Sequence, residues 1–166
     1  MLTKAEFLAS LQREADITSH LVAKLRPEHL AFRLTPAQRS LQELIVFMAT
    51  QYAGSVAFLT TGSWDAWGAY AKLNADLTPA TFAEHMARQV TEVHRLLQDI
   101  SEQDFARRVV KTPTGVETTL ANALLEVTLK WAAGYKMQLF LQAKAAGLGE
   151  LGTSNLWHGK DPAPKK

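Results

Sequence analysis

Histidine is the residue type here best suited to metal ligation or proton transfer, because its neutral ring nitrogen is both a ligand and a base near pH 7. The chain has five: His20, His29, His85, His94 and His158. A metal site carried on helices needs two such residues about one turn apart, completed by a donor from a facing element. No two of these histidines have that spacing. His85 and His94 fall on opposite faces of one expected helix, His29 follows the first helix and His158 lies in the tail. His20 is expected to face inward near Asp16. All five read as surface or singly hydrogen-bonded side chains, and helical geometry disfavours pairing His94 with Glu92 or Asp99 as acid and base. There is no cysteine, which removes thiolate metal sites, disulfides and thiol nucleophiles. A G-x-S-x-G elbow is absent, and Gly147-Leu148-Gly149 precedes a tail rather than a helix, so neither serine hydrolysis nor a phosphate loop is indicated. Glu126 and Lys130 stand at i,i+4 in the favoured order, a solvated salt bridge of about 0.3 kcal/mol.

Composition narrows the partners. The chain has 166 residues, enough for one domain with a substantial core, and 47% of them are hydrophobic. Its 18 basic and 16 acidic residues leave a net charge of +2. Arg107-Arg108 and Lys165-Lys166 are too short for a basic patch, so no nucleic-acid partner is expected. The first residues, Met1 to Glu6, hold no apolar leader, and no stretch is read as approaching the ~18 uncharged residues of a membrane span. The expectation is a cytoplasmic protein with no membrane partner.

The elements that position any site are helices. Thr3 and Glu6 have capping-box spacing, and Phe7, Leu11, Thr18, Leu21, Val22 and Leu25 recur at helical period until Arg26-Pro27 stops the helix. Thr35-Pro36-Ala37-Gln38 is expected to open a second helix, with Leu41, Leu44, Ile45, Met48, Tyr52, Val56 and Leu59 inward and an end near Gly62. Residues 61–78 form a long connector expected to cross the bundle or cover one end. A third helix is expected from Thr78-Pro79 to about Ile100, with Phe82, Met86, Val90, Val93 and Leu97 inward. Residues 101–115 read as irregular. A fourth helix is expected from about Glu117 to Ala146, with Leu120, Leu124, Val127, Trp131, Tyr135, Gln138, Leu139 and Gln142 along one face. No strand alternation stands out. The fold class is all-α, a four-helix bundle with a long crossover between helices two and three. Residues 1–147 form the bundle domain, and 148–166 a mostly flexible tail in which Leu156-Trp157 docks.

Two segments carry a more specific signal: Arg39-Ser40-Leu41-Gln42-Glu43-Leu44-Ile45-Val46-Phe47-Met48, and Lys130-Trp131-Ala132-Ala133-Gly134-Tyr135-Lys136-Met137-Gln138-Leu139. Together they resemble the DinB-like family of small helical bundles, over roughly residues 3–147. In that family the first segment usually has histidine where Phe47 stands. The second usually reads H-x-x-x-H-R-x-Q-L, which falls on Trp131, Tyr135, Lys136, Gln138 and Leu139. Relatives are described as metal-dependent, and some transfer low-molecular-weight thiols or isomerise small acids. The resemblance thus implies a three-histidine metal site, yet all three ligand positions are aromatic here. Phe47 has no donor atom, the Trp131 indole N–H only donates, and Tyr135 would ligate only as a phenolate, unfavourable at an ordinary pKa near ~10. No metal and no cofactor is expected.

What replaces the ligands has two readings. Phe47, Trp131 and Tyr135, with Gln51 and Gln138 nearby and Gly54 and Gly134 leaving room, either fill the old cavity or line a pocket with a few polar handles. Aromatic stripes at helical spacing are usually core, which favours filling. Trp64, Trp67 and Tyr70 on the connector could anchor it, close a pocket as a lid, or cap a dimer. The expected function is small-molecule binding or interaction without metal chemistry, with a homodimer as a further expectation. The enzymatic alternative uses an altered site with Tyr135 and Gln138 as candidate groups.

Overall fold

In the computed structural model, which describes residues 2–163, four long helical segments pack around one core. They are α1 (Lys4–Val22), α2 (Leu41–Thr61), α4 (Phe82–Leu97) and the run α6 (Leu120–Ala123) to α7 (Lys130–Ala145), which are joined by a π-helical stretch, Leu124–Leu129. The expected four-helix bundle is what forms. Phe7, Leu11, Leu21, Leu44, Ile45, Met48, Phe82, Val93, Leu97, Leu124 and Leu139 are all buried, as their spacing required. Each such side chain contributes about 1.5–3 kcal/mol of burial.

The caps explain where the helices begin. Thr3 Oγ1 accepts from the Glu6 N–H at 3.2 Å and the Glu6 carboxylate accepts from the Thr3 N–H at 2.8 Å, the expected reciprocal box. The second helix does not open at Thr35-Pro36. That segment is a turn, with the Gln38 N–H on the Thr35 carbonyl, and α2 starts after Ser40. Ser40 and Glu43 form a second capping box, their two bonds being 2.9 and 3.2 Å, and Arg33 clamps the Glu43 carboxylate with two contacts of 2.7 Å. Likewise Thr78–Thr81 is a turn, and α4 begins at Phe82.

Three further expectations are corrected. Leu44–Thr61 carries no charged residue, so α2 is long and apolar enough to cross a membrane, with mean hydropathy 1.4. That follows from its place in the bundle: it contacts α4, α3 and α7, and a helix covered on most sides is apolar on most sides. The connector contains α3 (Asp65–Leu73), packed along α2, and residues 101–119 hold α5 (Glu102–Arg107) and an antiparallel hairpin. Its strands, β1 (Val109–Lys111) and β2 (Glu117–Thr119), pair Val109 with Thr119, and Gly115 takes φ 87° in the turn. The fourth helix therefore starts at Leu120, capped by Thr119.

The segment after Gly147 is packed along most of its described length. Leu148, Leu151 and Leu156 are buried, and α8 (Thr153–His158) lies on α1. Of the two residues expected to dock, Leu156 is buried and Trp157 stays 49% exposed. Asn155 Nδ2 donates to His20 Nε2 and to Asp161, each at 3.0 Å, and Lys24 pairs with Asp161 at 2.7 Å. His20 therefore serves this dock, while Asp16 accepts from Gln12. Lys165 and Lys166 lie outside the described residues.

Candidate functional site

The three aromatics at the expected ligand positions do meet. Phe47 projects from α2 and Tyr135 from α7, with ring centroids 4.7 Å apart in an edge-on arrangement, and Trp131 lies one turn before Tyr135. Trp67 of α3 closes the other side, 5.6 Å from Phe47. Trp64, at the start of α3, meets Trp67 edge-on at 5.4 Å and stacks on Phe58 at 4.3 Å. The cluster does not fill the core. Phe47, Trp67, Trp131 and Tyr135 are half-buried and, with Arg39, Trp64 and Gly68, line an open trough of about 480 Å³. The expectation of a filled cavity is corrected accordingly. The reason is the connector: α3 supplies a third wall beside α2 and α7, so the aromatics make the sides of a groove.

Two glycines were expected to leave room. Gly54 does, because Trp67 lies against its backbone: a Cβ there would collide with the indole, whose Cζ3 would stand 2.9 Å away. Gly134 faces open space. Of the polar handles, Tyr135 and Trp131 line the trough, and neither the Tyr135 hydroxyl nor the Trp131 indole N–H has a hydrogen-bond partner among the described residues. Gln51 does not line it. Its Nε2 is buried and donates to the Thr128 carbonyl at 3.2 Å and Ser55 Oγ at 3.3 Å, tying α2 to the π-helical stretch. Gln138 is half-buried and also lies outside the lining, so Tyr135 and Gln138 are not brought together.

Arg39 is the charged member of the trough. Its guanidinium carbon sits 4.1 Å from the Phe47 ring centroid, a cation–π contact. No carboxylate pairs with it among the described residues. The neighbouring acid, Glu43, is occupied by Arg33, whose hydrogen bonds, followed by the Ser40 N–H, hold its pKa down to about 2. The donor set of the trough is therefore one guanidinium, indole N–H groups and a phenol hydroxyl. Phenylalanine and indole offer no lone pair to a cation, and a guanidinium repels one, so these residues do not fit a divalent ion. Among the described residues no group of three or more histidine, cysteine, aspartate or glutamate side chains is placed to hold one either.

Lys136, next to Tyr135, points away from the trough into the core. It is 1% exposed, its Nζ lies 2.8 Å from a Glu14 carboxylate oxygen on α1, and it sits 5.0 Å beneath the Trp157 ring. Tyr52 and Thr18 are buried in the same region, and neither hydroxyl has a partner of good hydrogen-bond geometry among the described residues. Burial, with Glu14 nearby, pushes the Tyr52 phenol above its ordinary range.

Histidine 85 has a role that helical spacing alone did not expose. Its Nδ1 lies 2.7 Å from Asn74 Oδ1. The Asn74 amide nitrogen donates to the carbonyls of Ala49 and Tyr70 and to Thr50 Oγ1, which makes Oδ1 the acceptor and places the His85 proton on Nδ1. Nε2 is left as an acceptor with no partner among the described residues, in a cleft lined also by Asp76, Arg88 and Glu92. Burial, then Arg88, lowers its pKa, which favours the neutral ring. The partner Asn74 sits on the connector, so no periodicity in α4 could have revealed the pair.

The fold is that of a small helical bundle of the DinB-like type. It is similar to the crystal structure of a DinB-like protein from Bacillus subtilis, with a TM-score of 0.65 and 18% identity over 89% of this chain and 95% of that one. No protein-family model and no curated protein matches the sequence.

Proposed function

We propose that this chain is a DinB-like protein that has exchanged a metal centre for an aromatic binding trough, and that it binds a small organic molecule there without metal chemistry. The observation carrying this reading is that Phe47, Trp131 and Tyr135, the positions where the resemblance implies ligands, line a common groove with Trp64, Trp67 and Arg39. Its volume of about 480 Å³ and largely aromatic lining suit an organic ligand. A family relationship is supported by the shared bundle and by the Arg39-Ser40-Leu41 and Lys136-x-Gln138-Leu139 segments.

Two measurements test the reading. Elemental analysis of the dialysed protein should find no stoichiometric Zn, Ni or Fe, and retention of one ion per chain would overturn the metal-free part. The indole fluorescence of Trp64, Trp67 and Trp131 should respond to small aromatic amides and alcohols. The binding part falls if sizing shows a dimer whose trough tryptophans are shielded from acrylamide quenching, because the groove would then be an interface.

A further inference from the structure

We infer that the trough selects a carboxylate-bearing ligand, a compact aryl or alkyl monocarboxylate whose acid group is read by Arg39. The inference rests on the ligand-binding reading above and adds the class of ligand. The Arg39 guanidinium carbon sits 4.1 Å over the Phe47 ring centre and none of its N–H groups has a protein acceptor among the described residues, so they remain available to a ligand in a fork that matches two carboxylate oxygens. Stacking holds the guanidinium in place without neutralising it. Glu43, four residues on, is already engaged by Arg33 through two 2.7 Å contacts and by the Ser40 N–H. Arg39 is thus left with a positive charge and no counter-ion among the described residues.

The other polar groups agree in sign. The other lining residues with polar side-chain atoms are Tyr135, Trp64, Trp67 and Trp131, whose hydroxyl and indole N–H groups have no protein partner among the described residues and can donate hydrogen bonds, and no acidic residue lines the groove. A cation finds no carboxylate there, whereas a carboxylate finds donors and a fixed charge. The aromatic walls take the remaining apolar body, since Phe47, Trp67, Trp131 and Tyr135 present ring faces and edges.

The test compares three acids, phenylacetate, 3-phenylpropionate and octanoate, each with its own neutral amide, by titration of tryptophan fluorescence. At least one acid should bind about tenfold more tightly than its amide, the usual scale for a charge-assisted hydrogen bond. Arg39→Gln should erase that difference by weakening the acid more than its amide, and Arg39→Lys should restore part of it. Because Arg39 is exposed and outside the helices, both variants should melt like the parent protein. Equal binding of acids and amides, or discrimination that survives Arg39→Gln, overturns the carboxylate inference while leaving the binding reading standing. Failure of all six probes to bind overturns both.

Discussion

Removing the Glu14 carboxylate should damage this protein more than removing the Lys136 ammonium, although both substitutions break the same ion pair. Lys136 is 1% exposed, and Glu14 retains 21% of its side-chain surface. In Glu14→Gln a full positive charge stays in the core without its counter-ion, facing only neutral groups such as the Trp157 ring. Uncompensated buried charges of that kind cost about 3–5 kcal/mol. At roughly 2–4 °C per kcal/mol for a chain of this size, the melting temperature should fall by about 6–20 °C. In Lys136→Met the apolar stem is nearly conserved and the remaining charge, on Glu14, can turn towards the water it already touches. The cost should then be about 1–2 kcal/mol, and the double variant should be no worse than Glu14→Gln alone. Urea unfolding of the four proteins in a double-mutant cycle measures this directly. Equal losses for the two single variants, or a larger loss for Lys136→Met, would refute the assignment of burial to the lysine side of the pair.

Other consequences are quicker to check. Gly54→Ala should gain a little helix propensity yet displace Trp67 from α2, shifting tryptophan emission to longer wavelength and lowering stability; an unchanged spectrum would remove Gly54 as the seat of that wall. His20 has a folded-state pKa lowered by burial and by Lys24, so the unfolded chain takes up a proton first as pH falls below about 6.5. Stability should therefore be full above that pH and decline below it, and His20→Gln should flatten this part of the profile in thermal melts at graded pH. Glu43 has the opposite window. Its pKa is held down to about 2, so its contribution is present above about 4.5 and is lost as pH falls from there towards 2; Glu43→Gln should remove that acid limb. Tyr70, pushed up to about 12 by burial and by its 2.7 Å hydrogen bond to Glu92, should give a delayed phenolate absorbance in alkaline titration, and Tyr70→Phe should remove that component while leaving the still later titration of the buried Tyr52.

Much of the architecture could be read from periodicity. The inward positions of α1, α2 and α4 follow the 3.6-residue repeat because burial on one face selects apolar side chains at that interval, and the Thr3–Glu6 box locates α1 to the residue. The misplaced starts had a local cause. Thr-Pro pairs at 35–36 and 78–79 suit helix starts and turns equally, and only the reciprocal Ser40–Glu43 box, clamped from Arg33, settles the start of α2. The hairpin was legible in retrospect, since Val109-Val110 and Thr118-Thr119 flank Pro113-Thr114-Gly115, but three-residue strands give periodicity too little length to act on.

The sequence by itself determined which chemistry is present. With no cysteine, with histidines out of register, and with aromatics where a metal would need lone pairs, the ligand types at Phe47, Trp131 and Tyr135 follow from identity alone. Only the tertiary structure decided that these rings line a groove. That outcome depends on α3, eighteen or more residues from Phe47 and about sixty from Trp131, folding back so that Trp67 rests on Gly54. Side-chain type is local information. Whether a ring is buried or left as a wall depends on which distant segment packs beside it.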